Sequence, residues 1–107
     1  MSAEIRFEPW DRNRDGELSE EAMQRKLESL GYYANTYTYT PGTRFAAHTH
    51  AIDKIDGVLS GRFRVQMGGH EVILEAGDLV WVPGGTLHSA EVVGADPVVS
   101  LDAVRRD

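Results

Sequence analysis

From residue 32 onward the side chains of this chain alternate with a period of two. "YYANTYTYT" at 32–40 sets aromatic residues against small and hydroxyl ones, and Pro41-Gly42 closes it. Short segments of similar character follow: "RFAAHTH", "KIDGVLS", "RFRVQM", "HEVIL", "LVWV", "LHSAEVV" and "VVSLDAV". Gly68-Gly69 supplies a tight hairpin turn between two of them. Short strands at this regular spacing predict an all-β sandwich or barrel. In "KIDGVLS" the odd positions Ile55, Gly57 and Leu59 are apolar, whereas the even positions Lys54, Asp56, Val58 and Ser60 are mostly polar. Alternate side chains share a face, so one face of this strand belongs to a core and the other lines a polar pocket or water.

Residues 1–31 follow a different rhythm. Met23, Leu27 and Leu30 recur at helical spacing, which predicts a short α-helix over 20–30. Ser19 is placed to cap it, Glu20 and Glu21 suit its positive end, and Gly31 suits the position after its last turn. Leu18 and Met23 occupy the two positions of a hydrophobic staple. The expected organisation is an N-terminal extension, residues 1–31, carrying helix 20–30, followed by a barrel over 32–107.

Composition narrows the functional classes. A chain of 107 residues, 41% hydrophobic and 26% charged, is enough for one ordinary globular domain and too short for two. A net charge of −6, with Arg25-Lys26 and Arg105-Arg106 the only adjacent basic pairs, argues against a nucleic-acid surface. No segment approaches the roughly 20 apolar residues of a membrane span. The N-terminus is charged throughout and does not read as a signal peptide, so a cytoplasmic location is expected. The absence of cysteine excludes disulfides and thiolate metal sites.

Three groups of residues could carry chemistry. "DRNRDGELSEEA" at 11–22 follows much of a calcium-loop pattern through Asp11, Asn13, Asp15 and Gly16. Its twelfth position, where a bidentate Glu is needed, is Ala22, and Pro9 opposes an incoming helix, so it reads as a polar turn before a capped helix. His70 directly follows the Gly68-Gly69 hairpin and reads as exposed at a strand start. His48 and His50 differ: on an extended strand both point to one face and could share an ion. A third ligand is required, and His88 is available, facing inward with Thr86, Ala90 and Val92.

With these residues the sequence resembles the cupins, small β-barrel proteins marked by two motifs. Gly42, "TRFAA", His48-Thr49-His50 and Gly61 match the first; Gly77, "DLVWV", Pro83-Gly84-Gly85, "TL" and His88 match the second, with Val92 where Asn is usual. The resemblance covers residues 42–92. It implies a double-stranded β-helix, or jelly-roll barrel, and by analogy a homodimer, for which the Tyr-Thr strand at 32–40 is a candidate edge. It also implies a mononuclear site for a divalent transition metal (Fe, Mn, Ni, Cu or Zn) on three histidines and a glutamate, serving a small molecule.

The glutamate position holds Lys54, and a protonated lysine has no lone pair to offer. If the strand continues regularly from His50, Lys54 and Asp56 point into the barrel; a bulge in "AIDK" would reverse this. An ammonium about 5 Å from a divalent ion is repelled by on the order of 6 kcal/mol at an effective dielectric of 20, so a partner such as Asp53 or Asp56 is needed. Three readings stay open. A metal is held by His48, His50 and His88 alone, acting as a Lewis acid or redox centre in an oxygenase or isomerase, with Lys54 and Asp56 as substrate contacts. Alternatively, a metal-free barrel binds or senses a small molecule anchored by Lys54. Finally, the barrel is a structural or regulatory module.

Overall fold

The computed structural model describes residues 5–106. Their order is β1 (Phe7–Glu8), α1 (Arg12–Asp15), α2 (Glu20–Ser29), β2 (Tyr32–Tyr39), β3 (Arg44–His48), β4 (Lys54–Ser60), β5 (Arg62–Met67), β6 (His70–Leu74), β7 (Leu79–Val82), β8 (His88–Val93) and β9 (Val98–Arg105). Two antiparallel sheets face one another as a jelly roll. One has the strand order β1-β7-β4-β9-β2 and the other β3-β8-β5-β6. Val58, Phe63, Val65, Leu74, Val80, Val82, Val92 and Val98 meet between the sheets, all of them buried.

The first sheet is covered on both faces, which explains the continuous apolar run in "LVWV". On its outer face Ile55, Leu79, Leu101 and Ala103 pack against Met23 and Leu27 of α2. Ser19 Oγ accepts a hydrogen bond from the Ala22 amide at 3.0 Å and so caps that helix as predicted. The helix ends one residue earlier than the spacing suggests, because Leu30 N–H bonds to Leu27 O and tightens the last turn. Gly57 permits the close seating: a Cβ there would lie 2.8 Å from both Leu79 Cδ2 and Met23 Sδ. Gly68 and Gly69 both have positive φ, and Met67 pairs with His70 across them, the hairpin the sequence predicts.

The N-terminal segment joins the first sheet, since Phe7 and Glu8 of β1 pair with Val80 and Leu79. Residues 11–22 form the capped turn the sequence favours, with a one-turn helix inside it. The Asp11 carboxylate accepts from the Asn13 and Arg14 amides. Asp15 meets Lys26 Nζ at 2.7 Å and Arg14 Nε at 3.0 Å. Lys26 also reaches Glu8 at 2.8 Å and lies 4.9 Å over the Trp10 ring. The Asp11 and Asp15 carboxylates are thus committed to helix capping and to basic side chains.

Candidate metal centre

The second sheet brings the histidines together. β3 pairs with β8, and His48 lies directly opposite His88. A register shift between Phe45 and His48 turns the end of β3, so His50 lies past the strand rather than on it. The expected strand alternation is therefore not what aims His50; the loop is held instead by Gly85 N–H donating to His50 O at 2.8 Å. The outcome is nonetheless convergence. One ring nitrogen from each of His48, His50 and His88 lies within 4.8 Å of the others.

Backbone carbonyls set two of the tautomers. His48 Nδ1 donates to Ala46 O at 2.6 Å and His88 Nδ1 to Thr86 O at 2.9 Å, which leaves each Nε2 with a free lone pair. His48 Nε2 and His50 Nε2 are 3.0 Å apart. Two nitrogens each about 2.1 Å from one ion, at angles of 90–109°, lie roughly 3.0–3.4 Å from one another, so the donor set fits a divalent metal. Burial holds His88 and His50 below the usual histidine range, with the Lys54 charge adding to the effect, so both favour the neutral form that ligates.

Lys54 points inward, on the polar face that the alternation of β4 marks, and lies 2.7 Å from Asp102 Oδ1 on neighbouring β9. The approach is off the hydrogen-bonding direction, so this contact is primarily ionic. Asp102 is neither of the partners expected from the sequence. Asp53 is engaged elsewhere, bound by the Gly84 amide at 2.7 Å and by Arg105 at 2.9 Å. Asp56 sits directly across from Asp102. Burial and the Asp102 charge push its carboxyl up to about 7, against which Lys54 pulls it down. The pocket floor thus holds the Lys54–Asp102 ion pair and, beside it, a carboxyl whose ionisation is held back.

These groups enclose a cavity of about 170 Å³ lined by Tyr39, Phe45, Phe63, the three histidines and the Lys54–Asp56–Asp102 cluster. Larger grooves of about 400 Å³ open beside Trp81 and beside His70, but the convergent histidines are in the smaller cavity. His70 is exposed at the start of β6, as expected. Asp102 and Ser100 are the site residues sequence reasoning missed. Their signal was the alternation in "VVSLDAV", where polar Ser100 and Asp102 interleave with apolar Leu101 and Ala103.

Comparison with known proteins supplies the context. The family model of the cupin domain matches residues 35–104. KdgF from a Halomonas species is 27% identical, with a TM-score of 0.61, and the match covers 72% of each chain. The DMSP lyase DddQ of Ruegeria pomeroyi is also 27% identical, at a TM-score of 0.63, over 72% of this chain and 39% of that one. A conserved Streptococcus pyogenes protein of unknown function shares the fold at 17% identity and a TM-score of 0.63, over 72% of this chain and 66% of that one. The chain thus spans about two-fifths of the lyase and just under two-thirds of the streptococcal protein. No curated protein matches the chain. Among the described residues, no helix is long and apolar enough to cross a membrane.

Proposed function

The chain belongs to the cupin family, and on that footing we propose that it holds one divalent transition-metal ion on His48, His50 and His88 and binds a small, anionic organic molecule beside it. The observation that carries this reading is the 3.0 Å approach of two imidazole Nε2 atoms, with His88 completing a cluster whose ligand atoms lie within 4.8 Å. Three imidazoles suit Fe, Mn, Ni, Cu and Zn alike. A bound ion supplies Lewis acidity or redox chemistry, and an oxygenase or isomerase activity is the enzymatic form of the proposal.

The chain's own residues define what can sit beside the ion. A cavity of about 170 Å³ is smaller than the 300–1,000 Å³ typical of drug-sized ligands, so the molecule is a compact organic acid or enolate. Phe45, Phe63 and Tyr39 give it an apolar wall. Lys54 and Asp56 are the substrate contacts. The Lys54 ammonium is balanced by Asp102, so it orients an incoming carboxylate rather than adding a free charge, while Asp56 in its protonated form offers a donor.

Metal analysis of the purified and metal-reconstituted protein tests this. About one equivalent is expected, falling below a tenth in His50→Ala and His88→Ala. Less than a tenth of an equivalent in the unaltered protein would reject the metal reading. The alternative is a metal-free small-molecule-binding or sensor protein, favoured by the one observation that Lys54 replaces the family's acidic ligand. A carboxylate that binds equally well with and without metal would establish it.

The assembly we propose is a homodimer through β2. This edge strand runs eight residues without a lysine, arginine, glutamate or proline to blunt it, and Tyr33 and Tyr37 are exposed along it. The other edges are guarded: β1 has only two residues, β3 carries Arg44 and β6 carries Glu71.

A further inference from the structure

The three candidate ligands lie at the ends of two strands and in the loop after the first. His50 belongs to the connection after β3, and His88 follows the Pro83-Gly84-Gly85 turn after β7. Sheet pairing fixes His48 and His88 but not His50, so something must hold the two loops in register. We propose that Asp53 is a positioning residue whose carboxylate clasps the His50 loop to the His88 loop and thereby sets the geometry of the metal site. The proposal rests on the metal-binding reading above and adds to it a residue that touches no ligand atom.

Four contacts converge on the clasp. Asp53 Oδ1 accepts from the Gly84 amide at 2.7 Å, and Oδ2 accepts from Arg105 Nη1 at 2.9 Å. Asp53 O accepts from the Arg105 amide at 3.0 Å, which anchors the loop to the end of β9. One residue past Gly84, the Gly85 amide donates to His50 O at 2.8 Å. The side chain of Asp53 therefore fastens the turn next to the point at which that turn grips a ligand's own backbone. Hydrogen bonding from the Gly84 amide and from Arg105 holds the Asp53 carboxyl below its ordinary range, so the clasp is ionised at neutral pH.

Gly84 belongs to the same device. A Cβ at this position would stand 2.8 Å from Ala51 O, backbone against side chain with nothing flexible to yield. The loops touch so closely that only a glycine lets the amide of residue 84 reach Asp53. Gly84→Ala should therefore pry the loops apart with the carboxylate still present, which makes it an independent probe.

Zn²⁺ alone, titrated into the metal-free protein by calorimetry, is the probe, and thermal unfolding of the metal-free forms is the companion measurement. Removing a partner that orients metal ligands typically costs 10–100-fold in affinity. Asp53→Ala and Gly84→Ala should each weaken Zn²⁺ by tenfold or more. Asp53→Asn keeps an acceptor for the Gly84 amide and should stay within about threefold. Gly57→Ala, which perturbs the opposite face of the first sheet, serves as the stability control: its Tm should fall with affinity unchanged. Affinity that is unaltered in Asp53→Ala, or that tracks Tm across all four variants, would overturn the positioning role. If the unaltered protein binds no Zn²⁺, the metal reading fails separately, and the imidazole NMR signals of the metal-free protein decide the clasp. Asp53→Ala should shift those of His50 and His88 and leave that of His70 in place; no shift would overturn it.

Discussion

Lys54 occupies the corner where a cupin usually has its acidic ligand, and its charge is met by Asp102 at 2.7 Å. Lys54→Glu should raise metal affinity tenfold or more by restoring a fourth donor. The metal-free variant should melt at lower temperature, because three carboxyls then face one another without a cation. Unchanged affinity in a titration would show that this side chain does not address the ion. Asp56 makes a second prediction. Its carboxyl is raised to about 7 by burial and Asp102, so stability from its neutral form is complete below about 4 and is lost as pH rises through 7. Asp56→Asn removes that loss. The variant should gain on the order of 1 kcal/mol at pH 8, seen as roughly 4–8 °C in Tm, and little at pH 4. At this scale the alternation along β4 put Lys54 and Asp56 on one polar face but left open whether that face lines a pocket or meets water. Asp102 escaped because its pairing with Lys54 depends on the register of β4 against β9, which no local pattern encodes.

At the scale of elements, the apolar cluster that joins α2 to the first sheet has its tightest point at Met23 and Gly57. Met23 is fully buried and its Sδ lies over Gly57. Gly57→Ala should cost about 1–3 kcal/mol by overpacking, and Met23→Ala about 2–5 kcal/mol by leaving a cavity. Because each change relieves the other, the double variant should be less destabilised than the sum, which urea denaturation can measure. β2 makes the other prediction. Tyr33→Lys places a charge on its exposed face and should convert the proposed dimer to monomer in light scattering; an unaltered mass would place any interface elsewhere. The helix and the hairpin were legible because capping residues and paired glycines act locally. The aim of His50 was not. It depends on a register shift in β3 and on a hydrogen bond from a loop far along the chain.

For the molecule as a whole, acid stability follows from which groups the fold keeps neutral or charged. His50 and His88 lie below the usual value of about 6.5 because burial disfavours their charged forms. The unfolded chain then binds more protons just below that pH, so the metal-free protein should lose stability as pH falls from 6.5. Glu8, Asp15 and Asp53 are depressed by their basic or amide partners. Their contributions are present above about 4 and are lost as pH falls through the lowered values. Asp56, whose carboxyl is raised, acts the other way between pH 7 and 4, so the decline in Tm of the metal-free protein from pH 6.5 toward pH 3 should be steeper in Asp56→Asn than in the unaltered protein, and equal profiles would contradict these shifts. The two-sheet architecture was legible from strand count and motif spacing, since it rests on alternation and turns. That the N-terminal segment adds β1 to a sheet was not, because "FE" is too short a run to read.

The backbone grips on His48 and His88 carry one more consequence. Each imidazole is locked by the carbonyl two residues before it, so neither ring can swing away when the centre is vacant. With two of its three rings fixed in this way, the cluster has little freedom to reshape itself around one guest. An ion held there would be ranked in the intrinsic order of nitrogen ligands, with copper above nickel and nickel above iron and manganese. An occupant would then reflect which ion is supplied, and an ion recovered with the protein would identify its surroundings before it identified its chemistry.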